Sequence, residues 1–435
     1  MRSANRRAGG IAAAALALVV AMLWSAGLPA ATAQNAAAAT TEGSVGVVIA
    51  LRGGGPPPLT FVAVSSPRGG AALLAGPLAA YTPAPHFSGG DAFRYKVVDA
   101  AGNSSPPATV RITVKPFTAA AANPPHVTIS GKRLVDANGR PFTVKGLIAR
   151  PLIAPFFQDI LPFRHFGGAE LAAAQRWGAN TIRLLASQPM LDPQSPLYSK
   201  QYILSVENAA QQVLDEGFVL IIGVNDEPST GETVPNCLPT EATERAWNTL
   251  LALPFAQRRY AHQVMLEPFN EPVSGFSPGA GPDASWWRVW QNGGDVAPFR
   301  VGPNLNCAGG VKIGMNQLVA QIRQAGATNI VLADGLGWAH WLNPQFPLTD
   351  PGHRLAYAAH PFLENWQNFH LVGDPSLDYP LLDGAFGDMR QRGPLVVTAI
   401  GGGAESTGLG CQPQAPRIMP VLLRYLRQRG IGVVG

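Results

Sequence analysis

The chain has 435 residues, which is more than one ordinary domain needs, so two domains are expected. Charged residues make up only 14%, against about a quarter in typical globular proteins, which excludes a highly charged disordered chain. The net charge is +5, but three of the arginines belong to an N-terminal segment that we expect to be removed. The remaining charge of +2 is too small for a nucleic-acid-binding or membrane-binding surface.

Residues 1–33 have the features of an export signal. A basic start with three arginines precedes an apolar run over residues 11–24, and Ala31-Thr-Ala33 then supplies a small-x-small cleavage site. The apolar run is shorter than the ~20 residues needed to cross a membrane, so the sequence favours export over anchoring. We expect cleavage after Ala33 and a secreted or periplasmic protein without a membrane segment after cleavage.

The cysteines and histidines give little support to metal chemistry. The three cysteines, Cys237, Cys307 and Cys411, allow one disulfide with one thiol left over, and their spacing matches no zinc motif. The eight histidines are scattered without a clustered ligand spacing. We therefore expect no metal and no cofactor, and the spacing does not say which cysteines pair.

A small all-β module is predicted over residues 44–116. Residues 34–43 are rich in alanine and threonine and are expected to form a flexible leader. The stretch that ends at Val114 alternates apolar and polar residues, and turn residues separate several such runs, as in an antiparallel sandwich. Residues 117–125 have the composition of a linker.

Residues 81–114 resemble the bacterial cadherin-like and Ig-like repeats. The resemblance is carried by Ser88-Gly-Gly-Asp91, Phe93-Arg-Tyr95, Val98-Asp99 and Gly102-Asn103. It implies a spacer or an adhesion unit, and the module contains no catalytic group.

Beyond the linker, strands and helices alternate over residues 126–435. Eight near-continuous apolar strands are predicted at residues 142–149, 180–185, 218–223, 264–269, 329–333, 355–360, 395–400 and 431–434. Amphipathic helices between such strands predict a parallel sheet that is covered on its outside, and eight units fit a (β/α)₈ TIM barrel, cut short after strand 8. A doubly wound open sheet is the alternative, but no Gly-x-Gly-x-x-Gly follows the first strand.

The predicted strand ends carry the candidate chemistry, because (β/α)₈ barrels place their sites at the carboxyl ends of the strands. These ends carry carboxylate, amide, guanidinium, imidazole and indole groups: Arg183, Asn225, Asp226, Asn270, Glu271, Trp338 and His360. The set contains no phosphate-binding loop and no nucleophile elbow. It suits an uncharged polyhydroxylated ligand, whose hydroxyls bond polar groups while its ring faces stack on aromatic side chains.

The segment Met265-Leu-Glu-Pro-Phe-Asn-Glu-Pro272 resembles the fourth-strand motif of glycoside hydrolase family 5, the cellulase family. Further matches are Leu134–Pro141, Asn180–Arg183, Val331–Ala339 and Tyr357–Pro361, so the resemblance runs from about residue 129 to the end. It implies that Glu271 is the general acid/base and that Asn270 bonds the sugar 2-hydroxyl. Arg183 and His360 would orient and polarise the carboxylates. Trp338 is a candidate for substrate binding because of its place at a strand end.

The resemblance fails at the second carboxylate. A retaining glycosidase needs a nucleophile about 5–5.5 Å from the acid, and in this family it follows the seventh strand. The run Pro394-Leu-Val-Val-Thr-Ala-Ile-Gly401 places Ala399 at that position, and the nearest acid is Glu405, beyond a glycine run. The third strand also lacks the family's usual histidine, because Val224-Asn-Asp-Glu227 stands there.

Three functions remain open on these residues. The first is a secreted endo-β-glycanase acting on β-linked polysaccharides, impaired by Ala399, and the second is a non-catalytic carbohydrate-binding relative. The third is a wall-adhesion protein in which the Ig-like module acts. In each case we expect a monomer with a polysaccharide or oligosaccharide partner and no nucleic acid. The tryptophan stripe Trp286, Trp287 and Trp290 suits core packing and a sugar platform equally well.

Overall fold

The computed structural model describes residues 30–117, 125–149, 152, 166–226, 235–275, 281–301, 305–362, 371–401, 403–404, 410–411 and 415–435. Residues 1–29 of the predicted export signal, residues 118–124 of the predicted linker and Glu405 lie outside these residues. Among the helices that are described, none is both long and apolar enough to cross a membrane.

The N-terminal part is a β-sandwich. Its strands are β1 (Thr32–Gln34), β2 (Ala36–Thr41), β3 (Val47–Ala50), β4 (Arg52–Gly54), β5 (Thr60–Ser65), β6 (Gly70–Ala75), β7 (Leu78–Pro83), β8 (Gly89–Val98) and β9 (Ala108–Lys115). One sheet has the order β2-β9-β8-β5, the other has the order β3-β7-β6, and β1 pairs with β4. The alternating residues Val110, Ile112 and Val114 are buried, and Tyr81 and Phe93 fill the core between the sheets.

The expectation of a flexible leader over residues 34–43 is wrong. Strand β2 pairs in parallel with β9 over six residues, from Ala36 opposite Val110 to Thr41 opposite Lys115. Small side chains at alternate positions, such as Ala36 and Ala38, pack on the sandwich core, so an alanine-rich run suffices for an edge strand here. The sandwich therefore begins ahead of residue 44, and the predicted cleavage after Ala33 falls within β1.

The remainder is a closed barrel of eight parallel strands in the order β12-β13-β14-β15-β20-β21-β22-β25, with β25 paired to β12. The barrel strands are β12 (Lys145–Ala149), β13 (Thr181–Ser187), β14 (Val219–Asn225), β15 (Val264–Glu267), β20 (Ile330–Asp334), β21 (Leu355–Ala359), β22 (Leu395–Val397) and β25 (Gly432–Val434). Each of these strands overlaps the strand that the sequence predicts at that place in the chain. The predicted (β/α)₈ fold is confirmed, and the open-sheet alternative is wrong.

The longer helices cover the outside of the barrel: α1 (Gly168–Arg176), α3 (Lys200–Asp215), α4 (Glu241–Leu251), α5 (Ala284–Asn292), α6 (Met315–Gln324), α8 (Pro375–Ala385) and α9 (Ala415–Gln428). Two four-residue segments, α2 (Gln188–Leu191) and α7 (Leu336–Ala339), follow β13 and β20, and α7 contains left-handed residues at Gly337 and Trp338. Short 3₁₀ turns span Pro254–Ala256, Arg258–Tyr260 and Gly387–Gln391. Side-chain caps start several helices. Ser199 accepts from the Tyr202 amide before α3, and Asp283 accepts from the Ser285 amide before α5.

Smaller pairs of strands complete the structure. The hairpin β10 (Thr128–Ser130) and β11 (Arg133–Val135) precedes the first barrel strand, and its Leu134 joins the apolar cluster inside the barrel. The chain between β15 and β20 carries β16 (Gly294–Val296), β17 (Phe299–Val301), β18 (Leu305–Cys307) and β19 (Gly310–Lys312). Strands β23 (Gly403–Ala404) and β24 (Gly410–Cys411) follow the seventh barrel strand.

Alternation along each barrel strand separates an inner core from an outer one. The inner cluster contains Ile221, Met265, Leu332, Ala358 and Val396, whereas their sequence neighbours pack against the helices. The next inward position along each strand lies two residues further on, at the carboxyl end. In β15 and β20, and directly after β21 and β22, those positions carry the polar residues Glu267, Asp334, His360 and Thr398, whereas β14 has Gly223 there. The interior therefore changes at this level from a packed core to a polar layer.

The sandwich packs on the barrel along α3 and the start of α1. Val45 and Phe166 form an antiparallel bridge, with the Val45 amide donating to the Phe166 carbonyl at 2.8 Å and the reverse bond at 3.1 Å. Asn208 of α3 donates through Nδ2 to the Pro83 carbonyl at 2.7 Å. Val45 and Ala80 belong to the same apolar cluster as the outer core of the barrel, so the two parts share buried surface.

Candidate active site

A buried ion pair forms the base of the site. Arg183, in β13, is 1% exposed and donates through Nε and Nη2 to the two carboxylate oxygens of Glu267, both at 2.8 Å. The same Nη2 donates to Asn270 Oδ1 at 2.6 Å, and Asn270 Nδ2 donates to Asn225 Oδ1 at 2.7 Å. Glu267 has room to reach the guanidinium because its neighbour on β14 is Gly223, where a Cβ would lie 2.4 Å from Glu267 Oε2.

Glu271 lies at the edge of this polar layer and reaches solvent. Its side chain is 30% exposed, and its Oε1 accepts from His360 Nδ1 at 2.9 Å. The Glu271 backbone has φ of 53°, in the left-handed region, and its amide donates to Asp334 Oδ2 at 2.9 Å. Non-glycine residues in this region are strained and need support from their surroundings, and such residues cluster at functional sites.

His360 connects Glu271 to the seventh strand. Its Nε2 lies 2.7 Å from Thr398 Oγ1 and 3.6 Å from Asp334 Oδ2, and the ring is fully buried. The Thr398 hydroxyl also lies 3.4 Å from Glu267 Oε1. Both ring nitrogens therefore have partners, which fixes the orientation of the ring that faces Glu271.

The electrostatics separate the three carboxyl groups. Burial raises the pKa of Glu267, but Arg183 more than offsets this and lowers it below the ordinary value. Burial and the negative charge of Glu267 raise the pKa of Asp334 well above its usual range. Burial has the largest single effect on Glu271 and opposes its ionisation, but the hydrogen bond from His360 together with the nearby positive charge of Arg183 outweighs it and lowers the pKa.

Both histidines near the site have lowered pKa values. For His360 the main cause is burial, which disfavours the charged ring more than Glu271 favours it. Burial lowers the pKa of His340 to about 4, although its Nδ1 lies 2.6 Å from the Gly337 carbonyl. Near neutral pH we expect uncharged imidazoles at both positions.

One group of described residues has the spacing of a metal site: Glu267, Asp334 and His360, with one potential ligand atom of each within 4.8 Å of the others. Arg183 already occupies both oxygens of Glu267, and Thr398 is bonded to His360 Nε2. A guanidinium in this position supplies the positive charge that a cation would bring, so the donor set does not fit a metal ion.

Trp338 lies beside the site on a disulfide-linked apolar cluster. Cys237 and Cys307 are bonded, and with Val273 and Val301 they form a small core against which Trp338 packs. The Trp338 amide also donates to the carbonyl of Pro272, next to Glu271, at 3.2 Å. The sequence left the cysteine pairing open, and the structure links the segment after β14 to β18.

The tryptophan stripe of α5 is mainly structural. Trp287 and Trp290 are buried in the outer core, and Trp290 Nε1 donates to the Asp334 carbonyl at 2.9 Å. Trp286 is half-buried and its ring lies 4.6 Å from that of Phe299. Of the two interpretations, core packing therefore holds for Trp287 and Trp290.

The structure brings five predicted site residues together, namely Arg183, Asn225, Asn270, Glu271 and His360, with Trp338 close by. Asp226 instead accepts a hydrogen bond from Gln188 Nε2 at 2.7 Å. Ala399 lies after the seventh strand, next to Thr398, and is 2% exposed. It contributes no ionisable group to the site, and Glu405 lies outside the described residues. Position 399, where the family resemblance places the second carboxylate, therefore supplies none to the described part of the site.

The sequence did not single out Glu267, Asp334 and Thr398, although all three fall within the segments Met265–Pro272, Val331–Ala339 and Pro394–Gly401. Their signal is the period of two: each follows by two residues an inward apolar residue of its strand, Met265, Leu332 or Val396. Arg183 and His360 occupy equivalent inward positions. A polar residue two positions beyond the last inward apolar residue therefore marks this layer.

A closed (β/α)₈ barrel with an exposed glutamate, a buried arginine and a histidine at its carboxyl-end face has the architecture of a barrel glycosidase. The model of the cellulase family, glycosyl hydrolase family 5, matches residues 135–435, and that of the bacterial Ig domain matches residues 28–113. The chain belongs to glycosyl hydrolase family 5 and carries a bacterial Ig domain ahead of the barrel.

Two solved structures are similar to this chain. A β-glucanase from Saccharophagus degradans is 18% identical, covers 72% of this chain and 84% of its own, and has a TM-score of 0.48. An endocellulase from the archaeon Pyrococcus horikoshii is 16% identical with a TM-score of 0.50, over 71% of this chain and 89% of its own. A search of curated protein sequences gives no significant match. At 16% identity the likeness to the endocellulase shows the fold alone.

Proposed function

We propose that this protein is an exported member of the family that binds β-linked polysaccharide at the carboxyl end of the barrel and hydrolyses its O-glycosidic bonds slowly. The observation that carries the proposal is the setting of Glu271. Of the three carboxyl groups in the polar layer, only Glu271 reaches solvent, whereas Glu267 and Asp334 are fully buried. A group that must touch a sugar chain needs that access.

Glu271 supplies half of the chemistry of a retaining glycosidase. Its protonated form would protonate the oxygen that leaves, and its ionised form would then take a proton from water. His360 holds the carboxylate at 2.9 Å, and Asn270, fixed between Arg183 and Asn225, lies next to it in the sequence. We assign Asn270 to the sugar 2-hydroxyl and Trp338 to a sugar ring face.

Ala399 removes two contributions at once. Alanine has no carboxylate, so position 399 can neither form a glycosyl-enzyme nor stabilise an oxocarbenium ion. In addition, no negative charge there opposes the ionisation of Glu271, whose pKa the bond from His360 lowers. The acid is therefore ionised over more of the neutral pH range, and each tenfold loss of rate corresponds to about 1.4 kcal/mol of lost transition-state stabilisation.

The test compares wild type with Ala399→Glu and Ala399→Gln on several β-glucans and β-mannans, by release of reducing sugar. Ala399→Glu is expected to raise hydrolysis by several factors of ten, Ala399→Gln is expected to give no gain, and Glu271→Gln should abolish the gain. If Ala399→Glu adds nothing while Glu405→Gln abolishes an existing activity, Glu405 is the second carboxylate. The chemistry would then be that of an inverting enzyme.

The second candidate is a carbohydrate-binding protein without turnover. The absence of a carboxylate at the buried Ala399 favours it, because binding needs only the hydroxyl-bonding and stacking groups. Pull-down on insoluble β-glucan with wild type and Trp338→Ala tests this reading. Binding that depends on Trp338, without activity in any variant, would replace the hydrolase proposal.

Export is proposed from the basic start, the apolar run and Ala31-Thr-Ala33. Amino-terminal sequencing of protein secreted by a bacterial host should find an N-terminus at or near Gln34. A secreted protein that still begins at Met1 would contradict the proposed cleavage. Gel filtration of the secreted protein should show a monomer.

A further inference from the structure

The loop that carries Glu271 is held from the neighbouring strand. The Glu271 amide donates to Asp334 Oδ2 at 2.9 Å, and this bond supports a residue whose φ of 53° is in the left-handed region. The Asp334 carbonyl in turn accepts from Trp290 Nε1 at 2.9 Å, which fixes Asp334 from the outer side of the barrel. Asp334 thus lies between the helix layer and the candidate acid/base.

The other carboxylate oxygen of Asp334 lacks a hydrogen-bond partner among the described residues, and a proton on the carboxyl group would allow a hydrogen bond to form. Asp334 Oδ1 is buried and accepts no hydrogen bond from the described residues. A carboxylate oxygen of Glu267 lies within 4.8 Å of Asp334, and Arg183 binds both oxygens of Glu267. If Asp334 were also ionised, two negative charges would be buried side by side and Arg183 alone would have to balance both. A proton on Asp334 removes that charge and turns an acceptor without a donor into a donor.

We propose that Asp334 is the positioning residue of the general acid/base: as a neutral carboxyl group it donates a hydrogen bond to Glu267 and accepts the Glu271 amide. This role rests on the proposed function only in calling Glu271 the acid/base. Asp334 acts through the main chain of Glu271 and does not touch substrate. The high pKa of Asp334, caused by burial and by Glu267, agrees with the neutral form.

The charged and titratable groups around Asp334 come from three sides. Glu267 and Arg183 lie below it in the barrel, Glu271 lies on the following loop, and His360 Nε2 is 3.6 Å from Asp334 Oδ2. Glu267 opposes ionisation of Asp334 and Arg183 favours it, while the buried His360 has a lowered pKa and is uncharged near neutral pH. The neutral form of Asp334 is therefore the form that supports Glu271 at neutral pH.

This assignment predicts that one of two substitutions of similar size preserves the setting of Glu271 and that the other disrupts it. Asp334→Asn keeps an acceptor for the Glu271 amide and offers an N–H to Glu267, so it mimics the protonated carboxyl group. Asp334→Leu keeps the bulk and removes both bonds. Without the amide bond Glu271 should leave its left-handed conformation and lose the bond from His360, and its pKa should then rise.

The test is nuclear magnetic resonance on the full chain with ¹³C,¹⁵N-labelled glutamate, with Asp388→Asn as an exposed-acid control. We expect Asp334→Asn to preserve the Glu271 amide shift and carboxyl pKa, and Asp334→Leu to change both. Unchanged values in Asp334→Leu, or equally large changes in Asp334→Asn, would overturn the proposal.

A second measurement covers the case in which Asp334→Leu does not fold. Raising the pH of wild type should produce a titration step at the Glu271 amide when Asp334 ionises, and Asp334→Asn should lack that step. The same step in both proteins would overturn the proposal. Neither readout needs turnover, so a lack of glycan hydrolysis in Ala399→Glu would refute the proposed function and leave this result unaffected.

Discussion

Asn208 and Pro83 join the barrel to the sandwich through a buried hydrogen bond of 2.7 Å between the asparagine Nδ2 and the proline carbonyl. Asn208 lies on α3, and Pro83 ends β7. With the bridge between Val45 and Phe166, this bond gives the interface specific polar contacts inside an apolar contact surface. Modules that act as spacers need no such contacts.

The interface predicts how the protein responds to a cut in its linker. The linker composition predicts two separately folded pieces after proteolysis near residues 119–123, and the interface predicts that these pieces stay together. Asn208→Leu leaves the Pro83 carbonyl buried without a donor, at a cost of about 1–3 kcal/mol. Gel filtration of cut wild type should show one complex. Cut Asn208→Leu should separate into its two pieces at protein concentrations at which cut wild type still elutes as the complex.

The control for the interface is Lys200→Ala, at the exposed start of the same helix. It should leave the complex intact. If cut wild-type protein separates into sandwich and barrel at micromolar concentration, the contacts described here do not hold the two parts together in solution.

Much of the fold could be predicted from residue patterns. Each barrel strand is short, apolar and bounded by an amphipathic helix, so local pattern and tertiary position agree, and the motif around Glu271 marks the fourth strand. Strand β2 escaped prediction because four of its six residues are alanine, which is depleted in strands and gives no alternation of apolar and polar residues. It forms because β9 offers it a free edge, a cause that lies some 70 residues away in the chain.

The site was predictable only where a motif falls at a strand end. Glu271, Asn270 and His360 stand in short motifs, so their positions followed from the strand assignment. The pairing of Arg183 with Glu267 depends on barrel closure, which brings alternate strands within reach of each other across the interior. The role of Asp334 could not be predicted either, because its partner is the Glu271 amide, which becomes available to it only through the turn at Glu271.

The bond between Arg183 and Glu267 makes a second prediction. Arg183→Met leaves Glu267 charged and buried without its partner, which typically costs about 3–5 kcal/mol of folding stability. Adding Glu267→Gln removes the unpaired charge, so the double variant should recover part of that loss. Urea unfolding measures all three, with Arg176→Ala on the surface as the control. A double variant no more stable than Arg183→Met would contradict the ion-pair account.

The disulfide between Cys237 and Cys307 makes a third. It spans 70 residues of sequence, and a loop of this size corresponds to about 4 kcal/mol in the chain-entropy model. Cys237→Ser should lower the melting temperature and change the fluorescence of Trp338, which packs on the disulfide cluster. Cys411→Ser serves as the control and should leave both unchanged. Equal melting temperatures for wild type with and without reductant would count against this prediction.

Acid sensitivity follows from Asp350. Arg323 donates to both of its oxygens at 2.8 Å. Burial has the largest single effect and opposes the ionised form, but the bonds from Arg323 and from the Arg354 and Gly352 amides together outweigh it and lower the Asp350 pKa. A lowered pKa in the folded state stabilises the protein above the unfolded pKa of about 4, and this contribution disappears as the pH falls through the folded value.

The measurement is the free energy of unfolding in urea at pH 7 and at pH 3. Wild type should lose more stability between the two than Asp350→Asn, which has no carboxylate to protonate. Asp295→Asn, on an exposed strand, should behave as wild type does. An equal loss in wild type and Asp350→Asn would show that Asp350 does not contribute to acid unfolding.

The last prediction concerns the charge at position 399 and the ionisation of Glu271. In the wild type, the bond from His360 lowers the Glu271 pKa, and the alanine at position 399 has no charge to oppose it. An ionised glutamate beside Glu271 raises the free energy of a second negative charge, so Ala399→Glu should raise the Glu271 pKa. Ala399→Gln has the same shape without the charge and should leave it near the wild-type value.

Two measurements follow this charge effect. Glutamate-selective ¹³C resonances give the Glu271 pKa in each variant, and the pH profile of β-glycan hydrolysis by Ala399→Glu should have its alkaline limb at that pKa, since the acid must be protonated to act. Equal Glu271 pKa values in Ala399→Glu and Ala399→Gln would mean that position 399 does not face the acid. Two carboxylates raise each other's pKa only when they lie close together. A second catalytic carboxylate would then have to come from a position other than 399.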